Sequence, residues 1–219
     1  MNKINCFVPF SGAAQAEKTV KGLQETGLVN NIYLLALPDV TENLPGCSTL
    51  HMQSIQSSAA IRDIAGHSDA EYTLIYTKYT TLELGLFALE RMIHIAEDSG
   101  AGMVYADRYQ VKEGKQTNAP VIDYQFGSLR DDFDFGSILL FSTSAFTYTA
   151  DKLYKRYQYA GLYNMRLFIA VNYSIIHINE YLYTEVETDT RKSGEKQFDY
   201  VNPKNREVQI EMEQAFTAH

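Results

Sequence analysis

The chain has 219 residues, with 19 basic and 27 acidic side chains and a formal net charge of −8 at pH 7. This length suits one large domain with its own hydrophobic core. An acidic chain without a basic patch is poorly suited to binding a phosphate backbone, so nucleic acid is not expected as a partner. Small anionic ligands stay compatible with this charge, because backbone amides can supply positive charge locally.

The cysteines and the first apolar run bear on where the protein works. Cys6 lies in an apolar run and Cys47 follows Pro45-Gly46, so the pair has neither metal-ligand spacing nor that of a disulfide framework. The run at 4–8 is too short for a signal-peptide core. No apolar stretch approaches the roughly 18 residues of a membrane-spanning helix. We therefore expect a cytoplasmic protein with reduced thiols and no membrane span.

Strand-like and helix-like segments alternate along much of the chain. In the segment 82–96, for example, Leu82, Leu86, Leu89 and Ile93 share one face of a helix. Strands separated by helices indicate βαβ units, so the predicted fold is a single α/β domain whose mainly parallel or mixed sheet is flanked by helices. In chain order, the predicted elements are a strand at 4–8, a helix at 13–25, a strand at 31–37, a helix at 58–65, a strand at 72–76, a helix at 82–96, a strand at 102–106, a hairpin at 111–116, strands at 137–141 and 174–178, a mixed-charge loop at 185–192 and a helix at 202–218.

Several common catalytic motifs are missing from the sequence. It has no GxxxxGK[ST] or GxGxxG phosphate loop, no HExxH and no GxSxG. The five histidines are far apart, and we interpret His94, in a helix, and His177, in a strand, as structural residues. Catalytic-triad and dinuclear-metal enzymes therefore have no support from the sequence.

The sequence does contain an ordered series of strand-like and helix-like segments. The first strand ends in Val8-Pro9-Phe10-Ser11, and the segments 70–76, 103–107, 136–141 and 163–167 follow as strand, strand, strand and helix. This order resembles that of the family 2 glycosyltransferases. The resemblance implies the A-type glycosyltransferase fold, which binds a nucleotide sugar.

The resemblance also implies how the chain is divided and which residues bind the donor. A nucleotide-sugar-binding half would cover about 1–116 and an acceptor-side half about 117–219. The residues implied in nucleotide-sugar binding are Pro9, Phe10 and Ser11 after the first strand, Asp39 after the second, and Thr77, Lys78 and Tyr79.

The family's divalent cation is the first point at which this chain departs from the pattern. Such enzymes use an Asp-x-Asp at a strand end to hold Mn²⁺ or Mg²⁺ against the leaving diphosphate. The matching turn here is Thr77-Lys78-Tyr79, which has no carboxylate. Lys78 could replace part of the cation's charge as an ammonium ion, or could simply face solvent. Asp107 is the remaining candidate metal ligand, with the capping of a turn as the alternative.

The catalytic base is the second departure. The resemblance implies a Glu-Asp before an aromatic residue, but Gly161-Leu162 precedes Tyr163. The densest acidic cluster, 130–135, offers Asp132 and Asp134 as candidate bases. A solvated acidic loop is the competing interpretation of that cluster.

Three functions follow from these observations. The first is transfer of a sugar from a nucleotide sugar to a glycan acceptor in polysaccharide synthesis. The second, favoured by the missing carboxylates, is an inactive glycosyltransferase-fold domain that binds or scaffolds, together with a partner protein or an additional domain. The third is a nucleotidyltransferase, although no Gly-rich phosphate loop with a basic residue follows Val8.

Overall fold

The computed structural model describes residues 3–127, 133–187 and 204–217. They form a mixed sheet of nine strands in the order β3-β2-β1-β4-β8-β6-β9-β5, with β7 paired to β6. The strands are β1 Ile4–Phe10, β2 Val29–Ala36, β3 Ser48–His51, β4 Tyr72–Tyr76, β5 Thr81–Leu84, β6 Met103–Lys112, β7 Lys115–Ala119, β8 Ile138–Ser142 and β9 Ile175–Val186. The helices are α1 Ala13–Glu25, α2 Ser58–Gly66, α3 Ala88–Ser99, α4 Thr143–Lys152, α5 Gly161–Asn172 and α6 Lys204–Phe216.

Helices cover both faces of the sheet. Side chains alternate along β1, so that Cys6 and Val8 enter one core with α1 and α3, while Phe7 enters the other with α2, α4 and α5. All seven residues of β1 are buried, as expected for a strand at the centre of a sheet covered on both faces. The predicted single-domain α/β fold with a mixed sheet is confirmed.

Parallel and antiparallel pairings divide the sheet into regions. Strands β1 to β4 are parallel to one another wherever they pair. Strand β8 is inserted between β4 and β6 and is antiparallel to both, while β6 and β9 are parallel. The carboxyl ends of β1 to β4 therefore meet at one edge, where open α/β sheets bind ligands.

Most predicted elements have the observed type, and the helix 13–25 and the strand 72–76 have the observed bounds. The helix predicted at 82–96 is wrong over its first part, because Thr81–Leu84 is a strand paired with β9 and the helix begins at Ala88. Gly85 separates the two elements. A Cβ there would lie 2.8 Å from the carbonyl oxygen of Leu182, so only glycine allows this approach. Leu86, placed on the buried face of that helix, is 86% exposed.

Two further differences involve strands. The short strand β3 was not predicted, since its four residues are half-buried or exposed and carry no clear periodicity. Strand β9 continues to Val186, beyond the predicted end at 178 and into the segment predicted as a loop. In the part of the chain that the structure covers, no helix has both the length and the apolar character needed to cross a membrane.

The amino ends of α2 and α5 touch. The backbone N–H of Ser58 donates to the carbonyl of Tyr157 over 2.8 Å, and the N–H of Leu162 donates to the carbonyl of Gln56 over 3.2 Å. Gly161, at the first position of α5, faces the backbone of Ser57 and Ser58 so closely that a Cβ would overlap it. The packing of α5 thus requires glycine at this position.

We expect Gly161→Ala to lower the free energy of unfolding by about 1–3 kcal/mol, the usual cost of overpacking. Gly22→Ala is a matched control, because Gly22 is inside α1 and has open space where its Cβ would be. That change should raise stability by about 0.5–1 kcal/mol. Denaturant unfolding measures the free energy of unfolding of both variants. Equal changes would contradict the interpretation that packing requires glycine at position 161.

Candidate functional site

Two adjoining cavities lie at the edge where β2, β3 and β4 end. The first, here called the strand-end cleft, has a volume of about 460 Å³. The second, the aromatic pocket, has a volume of about 220 Å³. Gln56, Thr77 and Tyr159 line both. The turn after β4 therefore lies at the junction of the two cavities.

The strand-end cleft is uncharged on every described wall. Its polar side chains include those of Gln53, Ser54 and Gln158, and Tyr79 presents a half-exposed ring. Amide and hydroxyl groups beside apolar side chains can orient a neutral, planar, polar group. The described lining residues are Leu35, Ala36, Leu37, Met52, Gln53, Ser54, Ile55, Gln56, Thr77, Tyr79, Gln158 and Tyr159.

The aromatic pocket combines rings with two charged side chains. The Arg166 guanidinium is buried, with its carbon 4.6 Å from the centre of the Tyr163 ring and 5.3 Å from that of Phe135. Such cation–π contacts stabilise a buried cation. Asp134 is the carboxylate on this wall. The described lining residues are Gln56, Thr77, Met103, Phe133, Asp134, Phe135, Gly136, Leu139, Phe141, Tyr159, Leu162, Tyr163, Arg166 and Met212.

Asp134 is oriented from two sides. Its Oδ2 atom accepts a hydrogen bond from Nη2 of Arg108 over 2.9 Å, and its Oδ1 atom accepts from the N–H of Gly136 over 2.8 Å. Gly136 has a φ of 74° and lies against the Tyr183 hydroxyl, so the turn requires glycine. That hydroxyl accepts from the N–H of Ser137 over 2.8 Å. The side chain of Asp134 is 57% exposed and can still reach a ligand.

A buried carboxylate joins this turn to the turn after β4. Glu185, on β9, lies 2.8 Å from Nε of Arg108, and its other oxygen accepts from Lys78 over 3.1 Å. The Arg108–Glu185 contact lacks hydrogen-bond alignment, so it is an ion pair only. Both side chains are 5% exposed. We call Lys78, Arg108, Asp134 and Glu185 the ion cluster.

The guanidinium of Arg108 remains charged in this setting. Burial alone would lower its pKa, but the hydrogen bond to Asp134 and the charge of Glu185 outweigh burial and raise the pKa above its ordinary value. Burial also raises the pKa of the neighbouring Tyr76 and Tyr183 hydroxyls. Both phenols therefore stay neutral and serve as hydrogen-bonding groups.

The structure brings together some of the predicted site residues. Thr77 and Tyr79 line the strand-end cleft, and Asp134 shares the aromatic pocket with Thr77. Lys78 belongs to the same turn but points to Glu185. Asp132 lies outside the described residues. The proposed roles of these side chains stay predictions.

Other predicted residues lie apart from the described walls of the two cavities. Pro9 and Phe10 are buried in β1, and Phe10 forms part of the core. Ser11 and Asp39 are exposed just beyond the ends of β1 and β2. Neither of these two residues is among the described lining residues of the strand-end cleft or the aromatic pocket.

Asp107 lies in the interior of β6, which continues to Lys112, and not at a strand end. Its Oδ1 atom accepts from the N–H of Val121 over 2.9 Å and lies 2.9 Å from Nε2 of His177. The other ring nitrogen of His177 is 2.7 Å from Asp123. These contacts engage Asp107 and both nitrogens of His177 in the packing of the sheet, as the structural interpretation of that histidine predicts.

The described residues do not fit a divalent metal ion. Within 3–127, 133–187 and 204–217, no group of three or more His, Cys, Asp or Glu side chains could hold one. The turn Thr77-Lys78-Tyr79 offers an ammonium ion in place of carboxylate oxygens. Mn²⁺ or Mg²⁺ binding thus stays a prediction without support from these donors.

Several residues of the site were not predicted from the sequence. Arg108, on β6, and Glu185, on β9, are charged residues that follow the apolar parts of their strands, and both are buried. The aromatic and β-branched residues of Tyr181-Leu182-Tyr183-Thr184-Glu185-Val186 were a usable strand signal. Gln56, Tyr159 and Arg166 had no such signal, because their place depends on how α2 and α5 pack.

Comparisons with known proteins identify the fold. No family model matches the chain, and no curated protein matches it. S. aureus TarS 1-349 in complex with UDP is similar with a TM-score of 0.61 and 8% identity, over 84% of this chain and 60% of that one. The same protein with UDP-GlcNAc gives 0.56 and 10%, over 86% and 60%. This chain therefore spans about 60% of the length of the TarS structures.

A second solved enzyme is similar to this chain over nearly the whole of that enzyme's length. The 4-diphosphocytidyl-2C-methyl-D-erythritol synthase from Anaerococcus prevotii gives a TM-score of 0.54 with 8% identity, over 94% of this chain and 99% of that one. At such identities the likeness concerns the fold alone. The chain has a nucleotide-diphospho-sugar transferase fold, and the predicted resemblance is confirmed at that level.

Breaking the ion cluster should lower the stability of the protein. Arg108→Met leaves Glu185 buried with one fewer cation, and we expect the free energy of unfolding to fall by about 3–5 kcal/mol. The exposed pair of Arg91 and Glu180 provides the control, since Arg91→Met should cost at most about 1 kcal/mol. Denaturant unfolding of both variants checks this. Similar losses would mean that Glu185 is not held by Arg108.

Proposed function

We propose that this protein binds a nucleotide sugar across the two cavities and transfers the sugar to a glycan acceptor in polysaccharide synthesis. The observation that carries the proposal is the junction at Thr77. There an uncharged polar cleft meets an aromatic pocket with a carboxylate, at the carboxyl edge of parallel strands. This edge is the ligand-binding region of open α/β sheets.

The nucleoside would occupy the strand-end cleft. Its uncharged walls suit a base and a ribose, with the Tyr79 ring available for stacking and the amides of Gln53 and Gln158 for hydrogen bonds. Most of this lining comes from residues before 117, and most of the aromatic pocket from residues after it. This distribution supports the proposed division into a donor half, 1–116, and an acceptor half, 117–219.

The diphosphate would lie at the junction, beside the Thr77 to Tyr79 turn. Lys78 is held by Glu185 and is 41% exposed, so its ammonium can approach a phosphate as a point charge. Because the described donors do not fit a divalent cation, the ammonium of Lys78 would neutralise the charge of the leaving diphosphate.

Asp134 would act as the base. In the proposed inverting transfer, its carboxylate takes the proton of an acceptor hydroxyl, whose oxygen forms a bond to the anomeric carbon. The bond from that carbon to the diphosphate oxygen breaks, and the diphosphate leaves with the electron pair. The contacts from Arg108 and Gly136 keep the carboxylate turned toward the pocket. Asp132 is the alternative base.

A specific observation also favours a binding or scaffolding domain without transfer. The resemblance implies an acidic pair at Gly161-Leu162, and at the first of these positions the close backbone at the start of α2 leaves no room for a side chain. Asp134 is moreover already paired with Arg108. An inactive domain of this kind would bind the nucleotide sugar and depend on a partner protein or an additional domain.

Ligand-induced thermal stabilisation separates these proposals. We expect UDP, GDP or one of their sugars to stabilise the protein by about 2.7 kcal/mol at 100 times its Kd. The shift should be the same in Mn²⁺ and in EDTA, because Lys78 replaces the metal. A response to CTP alone would favour a nucleotidyltransferase. No response to any nucleotide would refute nucleotide-sugar binding.

Asp134→Asn then tests transfer. We expect sugar transfer from the responding donor to fall about a hundredfold or more, as for loss of a general base, while the stabilisation by UDP persists. Asp98→Asn, a change to an exposed acid on α3, should leave both unchanged. Nucleotide binding without transfer in the wild type, across a panel of glycan acceptors, would favour the scaffolding role.

A further inference from the structure

The carboxylate of Glu211, on α6, accepts three backbone hydrogen bonds at the start of α5. Its Oε1 atom accepts from the N–H of Gln158 over 3.0 Å, and its Oε2 atom accepts from those of Tyr159 over 2.6 Å and Ala160 over 3.2 Å. These N–H groups precede the first turn of α5, where the helix dipole also favours negative charge. We call these three N–H groups the α5 seat.

The neighbouring residue on α6 reaches the aromatic pocket. Met212 lines that pocket together with Tyr159 and Tyr163. One turn further on, Ala215 is fully buried in a small cluster that contains Tyr157 and Ala160. Helix α6 therefore covers one side of the pocket, with its carboxylate and its apolar face applied to adjacent points of α5.

Within the described residues, the packing of α6 is confined to this region. Its contact cluster is separate from the two cores of the sheet, and the described parts of its other faces, including Ile210 and Phe216, are largely exposed. A helix of 13 residues is marginal in water without packing. Elements with few buried contacts open at a lower free energy than the core.

We propose that α6 is an autoinhibitory plug that Glu211 holds in the α5 seat and that an anionic, apolar ligand entering the aromatic pocket displaces. The occupant of the seat must be an anion or a strong acceptor, because the described groups that converge there are N–H donors. Arg166 places a buried cation in the same pocket and Asp134 places an exposed carboxylate there, so the preference for an anion comes from the α5 seat. The effect on sugar transfer rests on the proposed function, whereas the docking of α6 does not.

Hydrogen exchange of the full chain tests the docking. In the wild type, amides within α6 should exchange faster than those of β1, because α6 opens without global unfolding. Glu211→Gln removes the charge, and α6 exchange should rise about tenfold. Glu213→Gln is the matched control, since Glu213 is exposed on the same helix and its carboxylate accepts, among the described residues, from Gln209.

Three hydrogen-exchange results would contradict the proposal that α6 is a plug. They are α6 amides that exchange only with global unfolding in the wild type, equal exchange in the two variants, and a loss of protection in β1 that accompanies the loss in α6. The amides of 158–160 are not used as the readout, because Glu211→Gln alters their acceptor directly.

Two dyes test which ligands α6 keeps out of the aromatic pocket. 1-Anilinonaphthalene-8-sulfonate is aromatic and anionic, and N-phenyl-1-naphthylamine is the same ring system without the sulfonate. Glu211→Gln should bind the sulfonate about tenfold more tightly than wild type or Glu213→Gln, with a smaller gain for the neutral dye. If Glu211→Gln gained equal affinity for the two dyes, an anion seat would be refuted. If it gained affinity for neither dye, closure of the pocket by α6 would be refuted. Both results are independent of UDP binding, which tests the proposed function.

Discussion

A buried carboxylate on β9 links the two sides of the candidate site. Glu185 contacts Arg108 and Lys78, and Arg108 in turn holds Asp134. Removing a charge from water is costly unless partners surround it, so these four residues stabilise one another only in this arrangement. The parallel pairing of β6 and β9 sets Gln110 opposite Glu185. A shift of one residue would turn Glu185 to the other face of the sheet and disperse the cluster.

The ion cluster decides where the charged groups of the candidate site lie. The ion cluster places an ammonium ion in the turn after β4 and a carboxylate in the turn before β8. The strand-end cleft between the ends of β2, β3 and β4 stays uncharged on its described walls. The turn after β4 therefore carries an ammonium ion and no carboxylate of its own, and that ammonium ion is paired with Glu185.

Close backbone contacts determine the rest of the site. Gly161 lets α5 begin against α2, which brings Gln56, Tyr159 and Arg166 to the two cavities. The same helix start presents the N–H groups that Glu211 accepts. Packing of α5 thus removes the room for an acid at Gly161 and creates a place for the acid of α6.

The sequence by itself determined the α/β class, the bounds of α1 and β4 and the order of segments that resembles an A-type fold, because periodicity and Gly or Pro boundaries are local properties. It also indicated Thr77, Tyr79 and Asp134, which line the cavities. Tertiary structure alone decided that Thr81–Leu84 is a strand, that Glu185 is buried beside Arg108 and that Glu211 meets α5. These features depend on partners roughly 50 to 110 residues away in the chain, and local propensity carries no information about such partners.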